Sequence, residues 1–188
     1  MFWKKLYTKE EYNKRWPGVS YPFENDPDDG YVVFEEVSDA IVNKIEKKFG
    51  YKLPKSFIEL YKIQNGGRPI NDCYETNGYC GYGDNYVQIE GFFALTLKPS
   101  FRSILSRNES LIEEWEFPNI GIYFADDPSG HNAFVLDYRC CKKNGEPKVS
   151  FVSESEDYDS EECYTVTVIA ESFEEFINNL KSSDEFEN

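Results

Sequence analysis

His131 is the single histidine of the chain, and three aspartates, Asp126, Asp127 and Asp137, lie within a few residues of it. An imidazole beside a carboxylate is the pattern of a general base or, with further ligands, of a metal site. A lone histidine without a positioned nucleophile argues for the plainer role, a ring hydrogen-bonded to the backbone of the turn Asp127-Pro128-Ser129-Gly130. Cys140 and Cys141 follow it. Adjacent strand residues point to opposite faces, so only one of the two could serve any given site. Cys73 and Cys80 do not make the Cys-x-x-Cys spacing of a zinc ligand pair. Asn65-Gly66-Gly67 lacks the Gly-x-Gly-x-x-Gly spacing of a phosphate loop and lies at a helix C-terminus, where the dipole repels anions. The expectation is a protein without catalytic residues, metal or cofactor, and so not an enzyme.

Recognition is the better-supported chemistry. Glu154, Glu156, Asp157, Asp159, Glu161 and Glu162 crowd one loop around Tyr158, and no Lys or Arg occurs between Lys148 and Lys181. The loop lacks the glycine of an EF-hand, which argues against calcium. Tyr74, Tyr79, Tyr82 and Tyr86 sit among Gly and Asn, a mixture suited to binding surfaces and equally to covering a sheet. We take Tyr74, Tyr79, Tyr82 and the acidic loop with Tyr158 as the candidate partner surface. The whole chain carries 35 acidic against 20 basic side chains, a net charge of −15. That field disfavours nucleic acid and anionic membranes and favours a basic protein.

These residues need a framework. The chain has 188 residues, 40% hydrophobic and 17% aromatic, enough for one well-cored domain. Residues 1–37 read as an N-terminal extension packed on or preceding the domain, with a short helix at 9–16 capped by Thr8, an acidic loop at 21–30 and weak strand character at 31–34. A helix is predicted from the Ser38 cap to Phe49, with Ile41, Ile45 and Phe49 on one face. Gly50 closes it, and Pro54 opens a second helix that ends at Asn65-Gly66-Gly67. Residues 70–84 predict no regular structure, and 86–97 predict a strand broken near Gly91. Residues 100–115 predict a helix. Strands follow at 120–124, 133–138, 147–153 and 164–170, and a closing helix starts at the capping box Ser172-Phe173-Glu174-Glu175. This is an α+β pattern: an antiparallel meander flanked by N-terminal helices and a closing C-terminal helix. The tail, 182–188, is expected to fray.

Three segments carry a resemblance. Ile45-Glu46-Lys47-Lys48-Phe49-Gly50-Tyr51-Lys52-Leu53-Pro54 leads into Phe57-Ile58-Glu59-Leu60-Tyr61 and Asn65-Gly66-Gly67. Ile120-Gly121 precedes Ser129-Gly130-His131-Asn132 and Phe134-Val135-Leu136-Asp137-Tyr138-Arg139. Gly145-Glu146-Pro147 runs to Val152, and Ser172-Phe173-Glu174-Glu175-Phe176-Ile177 closes the set. In this order they resemble the SUKH superfamily, in the branch similar to the fungal Smi/Knr cell-wall assembly regulators, over residues 38–181. The resemblance implies a protein-binding scaffold without a catalytic constellation. Bacterial members are immunity proteins that neutralise a cognate toxin, often a nuclease or deaminase; eukaryotic relatives are regulatory adaptors. The expectation is therefore a bacterial antitoxin-like inhibitor, monomer or homodimer, bound to a basic toxin. No export signal or membrane-length apolar run is visible, and the five cysteines are odd in number, so a cytoplasmic location with reduced thiols is expected.

Overall fold

Ser38 starts the first helix of the described residues by accepting the Ile41 N–H on its Oγ at 3.3 Å. Helix α1 runs Asp39–Phe49 and ends where Gly50 takes a left-handed φ of 76°. A computed structural model describes residues 31, 35–78, 85–155 and 163–186. The helix expected at 9–16, the loop at 21–30, Cys80, Tyr79, Tyr82 and the six residues Glu156, Asp157, Tyr158, Asp159, Glu161 and Glu162 lie outside them.

The joint between the first two helices is held by buried Glu46. Its carboxylate accepts the Leu53 N–H at 3.0 Å and pairs with the Lys52 ammonium. Tyr138 donates its hydroxyl to the Lys52 carbonyl, and its ring stacks on Tyr51 at 4.2 Å. Helix α2, Lys55–Ile63, takes Pro54 as its N-cap and buries Phe57, Leu60, Tyr61 and Ile63. The two helices thus form as the sequence predicts.

Five antiparallel strands make the main sheet: β3 (Gly91–Phe92), β4 (Gly121–Asp126), β5 (Ala133–Asp137), β6 (Lys148–Glu154) and β7 (Tyr164–Ala170), in that spatial order. The last four follow the predicted meander. Every residue of β4 and β5 is buried. On one face, α4 (Phe173–Asn178) sets Phe173 and Phe176 against Phe57, Phe124 and Phe134, at centroid distances of 4.8 to 5.8 Å. Such ring pairs add roughly 0.5–1.5 kcal/mol each beyond burial. On the other face Tyr123 meets Phe117, which also packs on Tyr164.

Two departures have local causes. The stretch 70–84, expected to be irregular, contains β1 (Cys73–Glu75), which pairs with β2 (Tyr86–Gln88) and with β8 (Leu180–Lys181) in a second, three-stranded sheet. The break expected near Gly91 is where the chain leaves this sheet for the main one. The helix expected over 100–115 begins later: α3, Ile104–Glu109, is capped by Ser103, whose Oγ accepts the Ser106 N–H. It then widens into a π-helical turn, Ser110–Glu114. Part of the tail also carries local structure. A 3-10 turn at Ser183–Glu185 brings Phe186 to 4.5 Å from the Tyr86 ring.

Asn65 ties these parts together. Fully buried, it accepts the Leu95 N–H at 2.7 Å and donates Nδ2 to the Leu95 carbonyl at 3.0 Å and to the Glu35 carbonyl at 3.1 Å. Gly66 follows at φ 84°, and a Cβ there would lie 2.3 Å from the Tyr31 carbonyl oxygen. A Cβ on Gly91 would strike the Tyr31 ring at 2.5 Å. Both glycines exist so that Tyr31, only 2% exposed, can lie against them. The last residues of the predicted extension are therefore bound into the domain. Asn65→Ala should lower the unfolding free energy by about 2–4 kcal/mol, since it leaves Leu95 with both backbone groups buried and unpaired. Chemical denaturation of the variant measures this, and a loss below about 1 kcal/mol would mean the three bonds are replaceable.

Candidate functional site

The end of the main sheet where β6 finishes is shaped by a turn built on one carboxylate. Asp127 accepts from the Ser129 hydroxyl, the Gly130 and Asn132 N–H groups and the Asn132 side-chain amide, all at 2.9 to 3.1 Å. Asn132 in turn accepts the Glu154 N–H at 3.3 Å. The turn thereby presents His131 outward, 60% exposed, with Nδ1 3.7 Å from a Glu154 carboxylate oxygen. The imidazole also faces the Trp115 ring at 5.6 Å.

Trp115 closes the π-helical turn, and its carbonyl accepts the Tyr164 hydroxyl. The next residue, Glu116, is the one non-glycine at positive φ among the described residues, at 60°. Burial, helped by the nearby charges of Glu154 and Glu116, pushes the Tyr164 phenol above its ordinary value. The result is a corner of half-buried Trp115 and Tyr164 rings among the exposed carboxylates of Glu113, Glu114, Glu116 and Glu154. Ring faces and carboxylates together suit the guanidinium and ammonium groups of a basic protein.

The predicted surface residues divide. Glu154 is exposed in this corner. Tyr74 is a core residue: 8% exposed, it stacks on Phe176 at 5.2 Å, because β1 is the middle strand of the small sheet. His131 stands on a surface turn, its ring exposed. Cys73 is buried, with its thiol pushed up to about 12 chiefly by burial, while Cys140 and Cys163 are exposed. Among the described residues no group of three or more His, Cys, Asp and Glu could hold a metal ion. Sequence reasoning did not name Trp115 or Glu116 as part of the candidate surface; Trp115 was read only as an apolar residue of the helix over 100–115, and it does pack half-buried against the core. The sequence signal was the acidic flank Glu113-Glu114-Trp115-Glu116.

A second polar cluster fixes Tyr31. Its hydroxyl donates to Asp126 Oδ1 at 3.1 Å, while Arg102 and Arg107 each approach Oδ2 at 3.5 Å. The Arg102 guanidinium lies 3.6 Å over the Tyr31 ring. Burial raises the Asp126 carboxyl to about 6, against the pull of Arg107 and Arg102.

Helices packed with an antiparallel five-stranded sheet and a second, three-stranded sheet define a mixed α+β domain. Its closest description as a family follows from comparison: a family model described as SMI1 / KNR4 family (SUKH-1) matches residues 36–179. The chain belongs to that family. A search of curated proteins gave no match. No helix among the described residues is long and apolar enough to cross a membrane.

Two consequences are measurable. The Asp126 carboxyl binds its proton more tightly in the folded chain than at its ordinary 3.8, so its contribution favours folding at low pH and is lost as pH rises from about 4 to about 6. The stability difference between the parent and Asp126→Asn should change through that window and be flat above it; a difference flat throughout would refute the assignment. Separately, Glu116→Gly should raise the unfolding free energy by about 0.5–1 kcal/mol, since glycine takes the left-handed conformation freely. Thermal or urea unfolding reads it.

Proposed function

We propose that this chain is a bacterial immunity protein that binds and neutralises a cognate toxin by protein–protein contact in the cytoplasm, without catalysis. Membership of the SMI1/KNR4 family supports a protein-binding role. The observation that carries the choice of partner is electrostatic: a net charge of −15 with carboxylates gathered around Trp115 and Tyr164 at one corner of the sheet. A nuclease or deaminase toxin presents basic side chains to a phosphate backbone, and an acidic cover placed over them would exclude the substrate. The alternative, a non-catalytic regulatory adaptor similar to the fungal regulators, rests on the same family membership and differs in genomic setting: a regulator has no need of a toxin gene beside it.

The experiment is co-expression with the toxin domain encoded next to the gene, scored by cell survival and by co-purification. Failure of both ends the immunity reading. If the acidic corner meets the partner, Glu116→Lys and Glu154→Lys should together slow association by roughly tenfold at low salt while changing dissociation far less. Raising the ionic strength should narrow the gap between variant and parent. Association rates from surface plasmon resonance at several salt concentrations measure both.

A further inference from the structure

Strand β7 ends the main sheet, and its outer side carries no partner among the described residues. The opposite end of the sheet is closed differently: β3 is two residues long and is bridged by Gly67, whose carbonyl accepts the Phe92 N–H. The register of β7 says which groups are open. Ser155 N–H donates to the Cys163 carbonyl at 2.8 Å, so Cys163 and then Thr165 and Thr167 turn their backbone groups toward β6. Antiparallel alternation turns the N–H and C=O of Tyr164, Val166 and Val168 outward.

Exposed edges are commonly blunted by lysine, proline or a bulge. Tyr164–Ala170 reads Tyr-Thr-Val-Thr-Val-Ile-Ala, with no charge and no proline, and its bulge falls late, between the pairs at Val149 and Ser150. Five β-prone residues therefore stand in regular register, without a strand partner on their outer side among the described residues, with Val168 44% exposed. Acidic groups mark both ends: Glu154 opposite Tyr164, and Glu171 and Glu174 just beyond Ala170, with Lys148 paired to Glu171 as the nearby cation. An antiparallel pairing of two copies along this edge would bring the Glu154 end of each against the Glu171 end of the other. Like charges at both ends oppose it. A strand with basic residues at its ends is complementary instead.

We infer that β7 is a docking edge that takes an extended, β-branched segment flanked by Lys or Arg from a basic partner, adding a sixth strand to the sheet. The inference rests on the basic-partner reading above and gives it a binding mode: main-chain hydrogen bonds from Tyr164, Val166 and Val168 give affinity, and the carboxylates at the two ends set register. The acidic corner at Trp115 and Tyr164 adjoins one end of this strand.

The test uses synthetic peptides and the full chain. The probe is a Thr-Val-Thr-Val-Thr peptide with lysine pairs at both ends, beside one with glutamate pairs and one with a central proline. NMR amide exchange should show new protection at Tyr164, Val166 and Val168 with the lysine peptide and none with the other two. Val168→Pro removes one outward N–H, and Val168→Lys keeps the backbone but adds a repelling charge. Each should weaken the lysine peptide by roughly threefold to tenfold, with circular dichroism unchanged. Protection elsewhere, equal binding of the glutamate peptide, or a dimer of the free chain that Val168→Lys dissolves would each overturn the inference. The two readings separate cleanly. Toxin binding unaffected by Val168→Lys would sink the edge and leave the immunity reading standing. Peptide docking at β7 with no toxin bound would do the reverse.

Discussion

Two buried asparagines do for this fold what a missing strand would otherwise have to do. Asn65 bonds both the N–H and the C=O of Leu95, and Asn108 does the same for Tyr123, at 2.7 to 2.8 Å, with a further bond to the Ile104 carbonyl. A primary amide offers one acceptor and two donors in a plane, which matches the paired groups of an extended residue. Beyond the short β3, the outer side of β4 has no further strand among the described residues, and Asn108 fills that place from α3. Leu95 is likewise served from the end of α2. A buried backbone group left unpaired costs free energy on the scale of the whole protein's stability margin, so the positions of both helices follow from these two amides.

What was legible in the sequence is what is local. Ser38, Gly50, Pro54 and Ser172 do their work within one turn of where they stand, and α1, α2 and α4 appear where those residues place them. Strands β4 to β7 were legible from their apolar runs and turn residues. Partners far apart in sequence were not. The small sheet joins Cys73 to Lys181, and neither three-residue β1 nor two-residue β8 has a periodicity to detect. Tyr74 was read as surface from its Gly and Asn neighbours, yet its ring is placed by β1 lying between two strands. Asn65 looked like one residue of a turn; its value depends on Leu95 and Glu35, each thirty positions away.

The candidate site divides in the same way. Glu154 was visible because charge runs need no fold to be seen. Trp115 packs against the core as its place in the apolar pattern implied, while its neighbourhood with Tyr164 and His131 depends on partners far along the chain. The positive φ at Glu116 falls just after the π-helical turn, and places a carboxylate where a glycine would be the easier choice. Acidity of the chain as a whole sets the kind of partner, while this corner and the open strand beside it are where contact geometry would be decided.

The seat of Tyr31 bears on what counts as the domain. Two glycines, an arginine stacked on the ring and a buried aspartate accepting its hydroxyl are all arranged around this one side chain. The family match begins at residue 36, five positions after it. A polypeptide trimmed to the matched segment would lose strand β8 at one end and, at the other, the plug that fills the space against Gly66 and Gly91, leaving Asp126 and two arginines around a vacant socket. The unit of homology and the unit of packing are different lengths here, and expression boundaries belong to the second.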